Sequence, residues 1–321
     1  MTRSFPYCLL CKSRQVHPSQ AMTSADIIRG WEVVGAHFRE ESIARLKAEG
    51  EVELYECEKC GFRFFDCELA GNSSFYEDVF RTVPGYYASN WPENDRNARY
   101  ARAHGFKTIL DVGCGSGLAL DAARQFGLET YGIELSSTAA AECRGKGHVI
   151  FPFLLHEMDS KWEGCFDLIS LNQVIEHVRD PVQVVKDCAR FISPHGVVAI
   201  AVPNDKGVIR LLPWMEHNWP PHHVSRWRRK DLQNLARIAG MKVLKLGGQQ
   251  LLGSELERIL IDRSHYSRTL KRPTWLIPDK LARALSFLYR KMGMKYLFRA
   301  QGHSIYCFLQ PMNTAAKSWW K

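Results

Sequence analysis

Hydrophobic positions in this chain fall in short blocks whose period keeps changing. Residues 109–112 read as a buried strand, 118–126 as a helix, and 129–133 as a second strand. A third strand is expected at 166–171, a helix at 182–191 and a fourth strand at 197–202. Asp180 and Pro181 supply an N-cap and a first-turn proline for that helix, and Pro194-His195-Gly196 turns the chain into the strand after it. An amphipathic helix over 230–239 precedes two last strands, 243–246 and 304–309. Strands alternating with helices predict a mostly parallel α/β sheet. Ahead of it, 96–103 reads as a helix. So does 24–48, where Ile27, Ile28, Trp31, Val34 and Phe38 lie near one face.

Composition narrows this only a little. With 321 residues there is room for one full α/β domain and something smaller. The first residues lack the apolar core of a secretory signal, and no run approaches the ~18 apolar residues of a membrane span. Ten cysteines without an export signal argue for thiols and metal, so a cytoplasmic protein is expected. The net charge of +9 suits nucleic acid, an anionic membrane face or a phosphorylated substrate alike. No RNA-binding signature accompanies it, and nucleic acid is not the expected partner.

The chemistry gathers where the first strand ends. Asp111, Gly113, Cys114, Gly115 and Gly117 form a strand-to-helix turn with glycines at alternate positions. Such a turn lets backbone approach a ligand, with free helix N–H groups behind it. Glu134 ends the second strand 17 residues after Gly117, placed to accept hydrogen bonds from the hydroxyls of a ribose. A dinucleotide fingerprint wants G-x-G-x-x-G, but Leu118 follows Gly117 and the spacing is G-x-G-x-G. That spacing resembles motif I of class I S-adenosylmethionine-dependent methyltransferases. The segment Phe166-Asp167…Glu176-His177…Asp180-Pro181 is similar to one in ubiquinone-pathway O-methyltransferases. The resemblance implies a Rossmann-like class I methyltransferase sheet with S-adenosyl-L-methionine as cofactor. Asp111, Gly113, Cys114, Gly115, Gly117, Glu134 and Leu135 would line the cofactor, with Asn172 and Gln173 toward its methionine end. The adenine contact stays open: Leu155 occupies the usual position, with His156, Glu157 and Asp159 nearby. The helix before the first strand would roof the pocket with Tyr86, Tyr87 and Trp91 near its mouth, or those aromatics simply pack the two modules together.

Gln173, Glu176 and His177 would share a face if their turn is helical, and His222 and His223 add two imidazoles. Glu176, His177, His222 and His223 are the catalytic candidates, as proton acceptors or as groups that orient the loop. Some relatives hold a divalent ion with E-x-x-E-H and a later His. Here Gln173 stands at the first Glu, which leaves one anionic ligand for an ion such as Mg²⁺.

Two C-x-x-C knuckles, Cys8/Cys11 and Cys57/Cys60, have the composition of a closed structural Zn²⁺ site. Gly61 follows the second knuckle but Lys12 the first, and Phe62, Phe64 and Phe65 can cover the metal. The expected organisation is a zinc-knuckle module with a helical insertion over 1–74, a linker and roof helix over 75–104, and a methyltransferase domain over 105–321. An insertion at 250–302 carries eleven Lys/Arg against four Asp/Glu between 251 and 300, with Leu281, Leu285, Leu288 and Met292 in one stripe. It either docks on its own domain or touches an anionic membrane or a lipid-linked acceptor. The expected reaction is O-methylation of a small-molecule, sugar- or lipid-linked acceptor. The alternatives are an RNA 2′-O-methyltransferase and a non-catalytic cofactor-binding or zinc adaptor protein.

Overall fold

A computed structural model describes residues 6–83, 86, 92–211, 215–251, 281, 284–285, 287 and 301–312. The chain opens with β1 (Val16–Thr23), α1 (Ser24–Val33), α2 (Glu40–Glu49), β2 (Glu51–Cys57) and β3 (Arg63–Phe64). Helices α3 (Ser73–Thr82) and α4 (Pro92–Ala103) lead into β4 (Thr108–Val112), α5 (Leu118–Gln125), β5 (Glu129–Ile133), α6 (Ser137–Gly145) and β6 (Val149–Phe151). Then come β7 (Phe166–Asn172), α7 (Pro181–Phe191), β8 (Ile192–Pro203), β9 (Ser225–Arg226), α8 (Arg229–Ile238), β10 (Met241–Gln250) and β11 (Gln301–Pro311).

Seven strands make the main sheet in the order β10-β11-β8-β7-β4-β5-β6. Pairs from β8 to β6 are parallel, whereas β11 runs antiparallel to both β8 and β10. This is the class I methyltransferase order. Strand order reverses between β4 and β7, and in such sheets ligands bind outside the carboxyl ends at that point. Alternate residues of β4 face opposite ways. Ile109 joins Ala101 of α4, Leu120 of α5 and Cys143 of α6, while Leu110 joins Val185 of α7 and Leu235 of α8. Both faces are covered, as a mostly parallel sheet requires.

Local signals explain most boundaries. Asp180 caps α7 by accepting from the Gln183 N–H at 3.0 Å, and Pro181 follows as its first residue. Proline also opens α4, which starts four residues before the expected Arg96. The helix expected over 24–48 is two helices. Gly35 takes φ +91°, its N–H reaches the Glu32 carbonyl, and Ala36 N–H reaches Trp31, a Schellman stop that the apolar stripe obscured. The turn expected at 194–196 is instead a bulge inside β8: Phe166 pairs with Ile192, and the next pair is Leu168 with Val197.

The amino-terminal segment does not stand apart. Its sheet, β1-β2-β3-β9, is completed by two residues that lie between β8 and α8, with Arg63 opposite Arg226 and Phe64 opposite Ser225. One apolar cluster runs from Cys8, Leu10, Phe62 and Phe64 through Trp227 into Leu232 and Val185. A second joins Trp31, Phe65 and Phe75 to Trp219. Burying a Phe side chain contributes roughly 1.5–3 kcal/mol, so these clusters bind the two parts firmly. Among the described residues no helix is long and apolar enough to cross a membrane. Tyr87, Trp91 and most of 250–302, including Leu288 and Met292, lie outside the described residues; Leu281 and Leu285 are exposed.

Candidate active site

The glycine turn joins β4 to α5 as the spacing suggests. Gly113, Gly115 and Gly117 all take positive φ (+71°, +53°, +85°), a region that side chains disfavour. A Cβ at Gly117 would stand 2.5 Å from Cys143 Sγ, so two constraints select glycine there. Glu134 closes the other side of the turn. Its Oε2 accepts from Gly115 N–H at 2.9 Å and its Oε1 from Ser136 N–H at 2.7 Å. A carboxylate has about four acceptor positions, so capacity remains for a ribose hydroxyl. Burial pushes this carboxyl above the usual range, and the Ser136 and Gly115 amides work against that rise. Leu135 beside it is half exposed, an apolar shelf at the crevice.

Two neighbours in the motif turn away from the crevice. Asp111 is buried in the sheet, accepting from Ser170 Oγ at 2.5 Å, and burial lifts its pKa to about 7. Cys114 gives its amide to the Ile133 carbonyl and lays its sulfur 3.9 Å from Cys143 Sγ. Its backbone shapes the turn while its side chain packs. Near the open adenine position, Leu155 is buried, Glu157 accepts from Leu154 N–H, and Asp159 accepts from Lys161 N–H.

At the carboxyl end of β7 several buried polar groups converge. Asn172 Oδ1 accepts from Asn97 Nδ2 at 3.1 Å, and its own amide N–H₂ finds no partner among the described residues. Gln173 has φ +55°, rare for a side-chain-bearing residue and typical of strained functional turns. Its Nε2 reaches Ser304 Oγ at 3.3 Å. The residues after it form a turn, not the helix considered above, with His177 N–H on the Val174 carbonyl at 3.0 Å. That turn still brings Glu176 and His177 together: Oε1 lies 3.9 Å from Nε2. Glu176 is fully buried, and neither carboxylate oxygen has a hydrogen-bond partner among the described residues. Glu93 of α4, also buried, shares that condition.

His222 and His223 complete the wall. The ring centroids of His177, His222 and His223 lie 4.5–4.8 Å from one another. His177 Nδ1 donates to the His222 carbonyl at 2.6 Å, with the Tyr76 hydroxyl 3.1 Å away. His222 Nδ1 donates to the His217 carbonyl at 3.0 Å, which leaves Nε2 to accept from Tyr86 at 2.5 Å. Loss of solvation lowers His177 to about 4 and holds His222 and His223 well below the usual imidazole range. The same cause drives Glu176 well above the usual carboxylate range. Near neutrality the imidazoles are therefore un-ionised.

The amino-terminal segment reaches into this site. Tyr76 of α3 meets His177, and Trp31 of α1 lies 4.5 Å from His217 and 5.4 Å from His222, centroid to centroid. Glu77 of α3 accepts from Ser136 Oγ and Thr138 Oγ1 at 2.9 Å each, tying α3 to the start of α6 beside Glu134. Tyr76, Glu77, Glu93 and Asn97 had no signal in the sequence, because no spacing connects them to the motifs they meet.

The four knuckle cysteines come together, their sulfurs within 4.8 Å of one another. Cys8 and Cys60 stand 3.6 Å apart, as do Cys11 and Cys57. A tetrahedral Zn²⁺ with bonds of ~2.3 Å needs sulfur separations of ~3.8 Å, so the donors fit. Lys12, where a glycine was expected, takes φ +57° against +69° for Gly61, so both knuckles turn alike. Lys12 also pairs with Asp180 at 2.9 Å, across to the cap of α7. Magnesium fits the histidine wall poorly. It prefers six oxygen ligands, and this wall offers three imidazoles and one carboxylate.

The family model for a methyltransferase domain matches residues 77–246. Ubiquinone biosynthesis O-methyltransferase of Methylococcus capsulatus is 28% identical over 172 residues, covering 47% of this chain and 73% of that one. The enzyme of the same name from Thiobacillus denitrificans is 29% identical over 160 residues, covering 44% and 67%. A solved S-adenosylmethionine-dependent methyltransferase from Archaeoglobus fulgidus is 16% identical, covering 67% of this chain and 94% of its own, with a TM-score of 0.44.

Proposed function

The chain belongs to the methyltransferase-domain family and is an S-adenosylmethionine-dependent methyltransferase; from that premise we propose that it methylates a hydroxyl oxygen of a small-molecule, sugar- or lipid-linked acceptor. The observation that carries this reading is the wall of un-ionised imidazoles beside the carboxyl end of β7. A neutral imidazole can take the proton of a hydroxyl as that oxygen attacks. An amine acceptor would gain from a carboxylate held ionised there, and Glu176 is pushed the other way.

In the proposed reaction the Gly113–Gly117 turn and Glu134 hold the cofactor, with Leu135 against its base and Asn172 and Gln173 toward its methionine end. The sulfonium methyl points toward the acceptor, a new O–C bond forms as the S–C bond breaks, and S-adenosylhomocysteine leaves. The hydroxyl proton passes to the wall formed by His177, His222 and His223. Holding two reactants in line can lower a barrier by up to ~7–11 kcal/mol, so placement matters as much as the base. Tyr76 and Tyr86 fix the imidazoles and form part of the acceptor wall.

We also assign one structural Zn²⁺ to Cys8, Cys11, Cys57 and Cys60. Supporting this are the sulfur separations and the matching turns at Lys12 and Gly61. None of the ten cysteines is in a disulfide, which suits a reducing compartment such as the cytoplasm.

The test is transfer of isotope-labelled methyl from the cofactor into pools of quinols, glycolipids, sugar nucleotides and RNA. Label on a hydroxyl of one of the first three supports the proposal. Label confined to RNA, to amines or to carbon overturns it.

A further inference from the structure

Beneath the cofactor turn two thiols face each other, and we propose that Cys114 and Cys143 form a site of reversible oxidation, joined by a small hydroperoxide into a disulfide that disables the turn. Cys114 lies between Gly113 and Gly115, and Cys143 lies on α6. Their sulfurs stand 3.9 Å apart, and both residues are buried. Two glycines open the space that the sulfurs occupy. A Cβ at Gly132 of β5 would stand 2.6 Å from Cys114 Sγ, and one at Gly117 would stand 2.5 Å from Cys143 Sγ. Each sulfur therefore sits in a notch of bare backbone, and the two notches adjoin.

The surroundings favour a thiolate at one member of the pair. Cys143 is held below the usual thiol range because the Cys114 S–H donates to it, and Lys146 acts in the same direction against burial and Asp111. Lys146 also lays its Nζ 2.5 Å from the Ser116 carbonyl, over the same turn. The thiolate is the nucleophile, so Cys143 reacts first. It attacks the terminal oxygen of the hydroperoxide ROOH, ROH departs, and the sulfur becomes a sulfenic acid. Cys114 attacks that sulfur, and its proton leaves with the hydroxyl as water. In sum the two thiols lose two electrons and two protons, and the hydroperoxide leaves as ROH and water.

Forming the bond must alter the turn. A disulfide needs sulfurs ~2.05 Å apart, so the observed gap closes by ~1.9 Å through side-chain rotation and movement of the turn toward α6. Gly113, Gly115 and Gly117 all stand at positive φ, and Gly115 gives its N–H to Glu134 at 2.9 Å. Displacing Cys114 shifts both its neighbours and disturbs the cradle for the cofactor's ribose. Linkage then runs both ways: the factor by which oxidation weakens cofactor binding is the factor by which bound cofactor disfavours the disulfide. In a reducing compartment such a bond is transient and regulatory.

The test reads the bond itself. Full-length, zinc-loaded protein is treated with hydrogen peroxide and digested with trypsin, which places the two cysteines on peptides 108–124 and 125–144, each without another cysteine. We expect these peptides to be recovered linked. Affinity for S-adenosylhomocysteine, measured by calorimetry, should fall by roughly tenfold or more and return with dithiothreitol. In thiol redox buffers, saturating S-adenosylhomocysteine should raise the midpoint potential of the pair by ~30 mV for each tenfold lost. Cys143→Ala should bind S-adenosylhomocysteine like untreated wild type and keep that affinity in peroxide, with Cys143→Ser as a second variant. Since both variants retain the knuckle cysteines, damage to the zinc site is read apart from the turn. Three outcomes would overturn the inference: no linked pair of peptides, a linked pair with unchanged affinity, or equal loss of affinity in the Cys143 variants. No readout involves the acceptor, so failure here leaves the proposed reaction standing.

Discussion

Adding one methyl group at Gly117 should damage the cofactor turn by an amount that can be divided in two. The residue sits at φ +85°, ψ +17°, directly before α5, and its carbonyl takes the Asp121 N–H at 2.8 Å. An alanine held in a left-handed conformation costs ~1–2 kcal/mol. Its Cβ would also lie 2.5 Å from Cys143 Sγ and 3.4 Å from His148 Cδ2. The sulfur must rotate or α6 must shift to make room, and overpacking of this kind costs ~1–3 kcal/mol. The sum predicts a loss of roughly 2–5 kcal/mol, read as a lower urea midpoint at unchanged slope. Cys143→Ala removes the obstructing sulfur and restores the steric part, whereas the backbone part remains. A double-mutant cycle should therefore show a rescuing interaction of ~1–3 kcal/mol. Gly117→Ala within ~0.5 kcal/mol of wild type, or a double mutant that adds the two losses, would refute this account of the turn.

Other consequences can be checked independently. Cys60→Ser should remove the cysteine-bound zinc and loosen the segment that carries Tyr76, lowering the melting temperature; a variant that keeps its zinc and its melting point would remove the zinc assignment. Asp111 is held near 7 when folded against ~3.9 when unfolded, so its stabilising contribution is complete below that lower value and is lost as pH rises through about 7. At ~1.4 kcal/mol per pH unit the loss is on the order of 4 kcal/mol, and Asp111→Asn should flatten the pH dependence of urea midpoints; an unaltered slope would contradict it. For the basic 250–302 segment two expectations stand, docking on its own domain and contact with anionic lipid: sedimentation with phosphatidylserine vesicles but not with neutral ones supports the lipid contact, and indifference to lipid charge dismisses it.

Features fixed by backbone geometry could be read from residues alone. Glycines at 113, 115 and 117 mark positive φ wherever they fall, and Asp180-Pro181 announces a helix start without help from the rest of the fold. Gly35 carried a stop signal of the same kind, but an apolar stripe spanning it argued for one long helix. Other elements exist only through their partners. Residues 16–23 hold a proline and show no alternation, and they become a strand because β2 supplies the ladder. Ser225 and Arg226 are extended because β3 offers an edge. Tyr76, Tyr86 and Glu93 lie about a hundred positions before the histidines and Glu176, so only folding brings them together. Lys12 shows that a preferred residue can be replaced where the local structure enforces the turn.

The central claim is that the turn after β4 and the carboxylate at the end of β5 hold the nucleoside half of the methyl donor. Calorimetric titration of S-adenosylhomocysteine into wild type and Glu134→Ala tests it most directly. The account predicts one site per chain in the wild type and loss of measurable binding in the variant, with the fold intact by circular dichroism. Equal affinity in both proteins would contradict it.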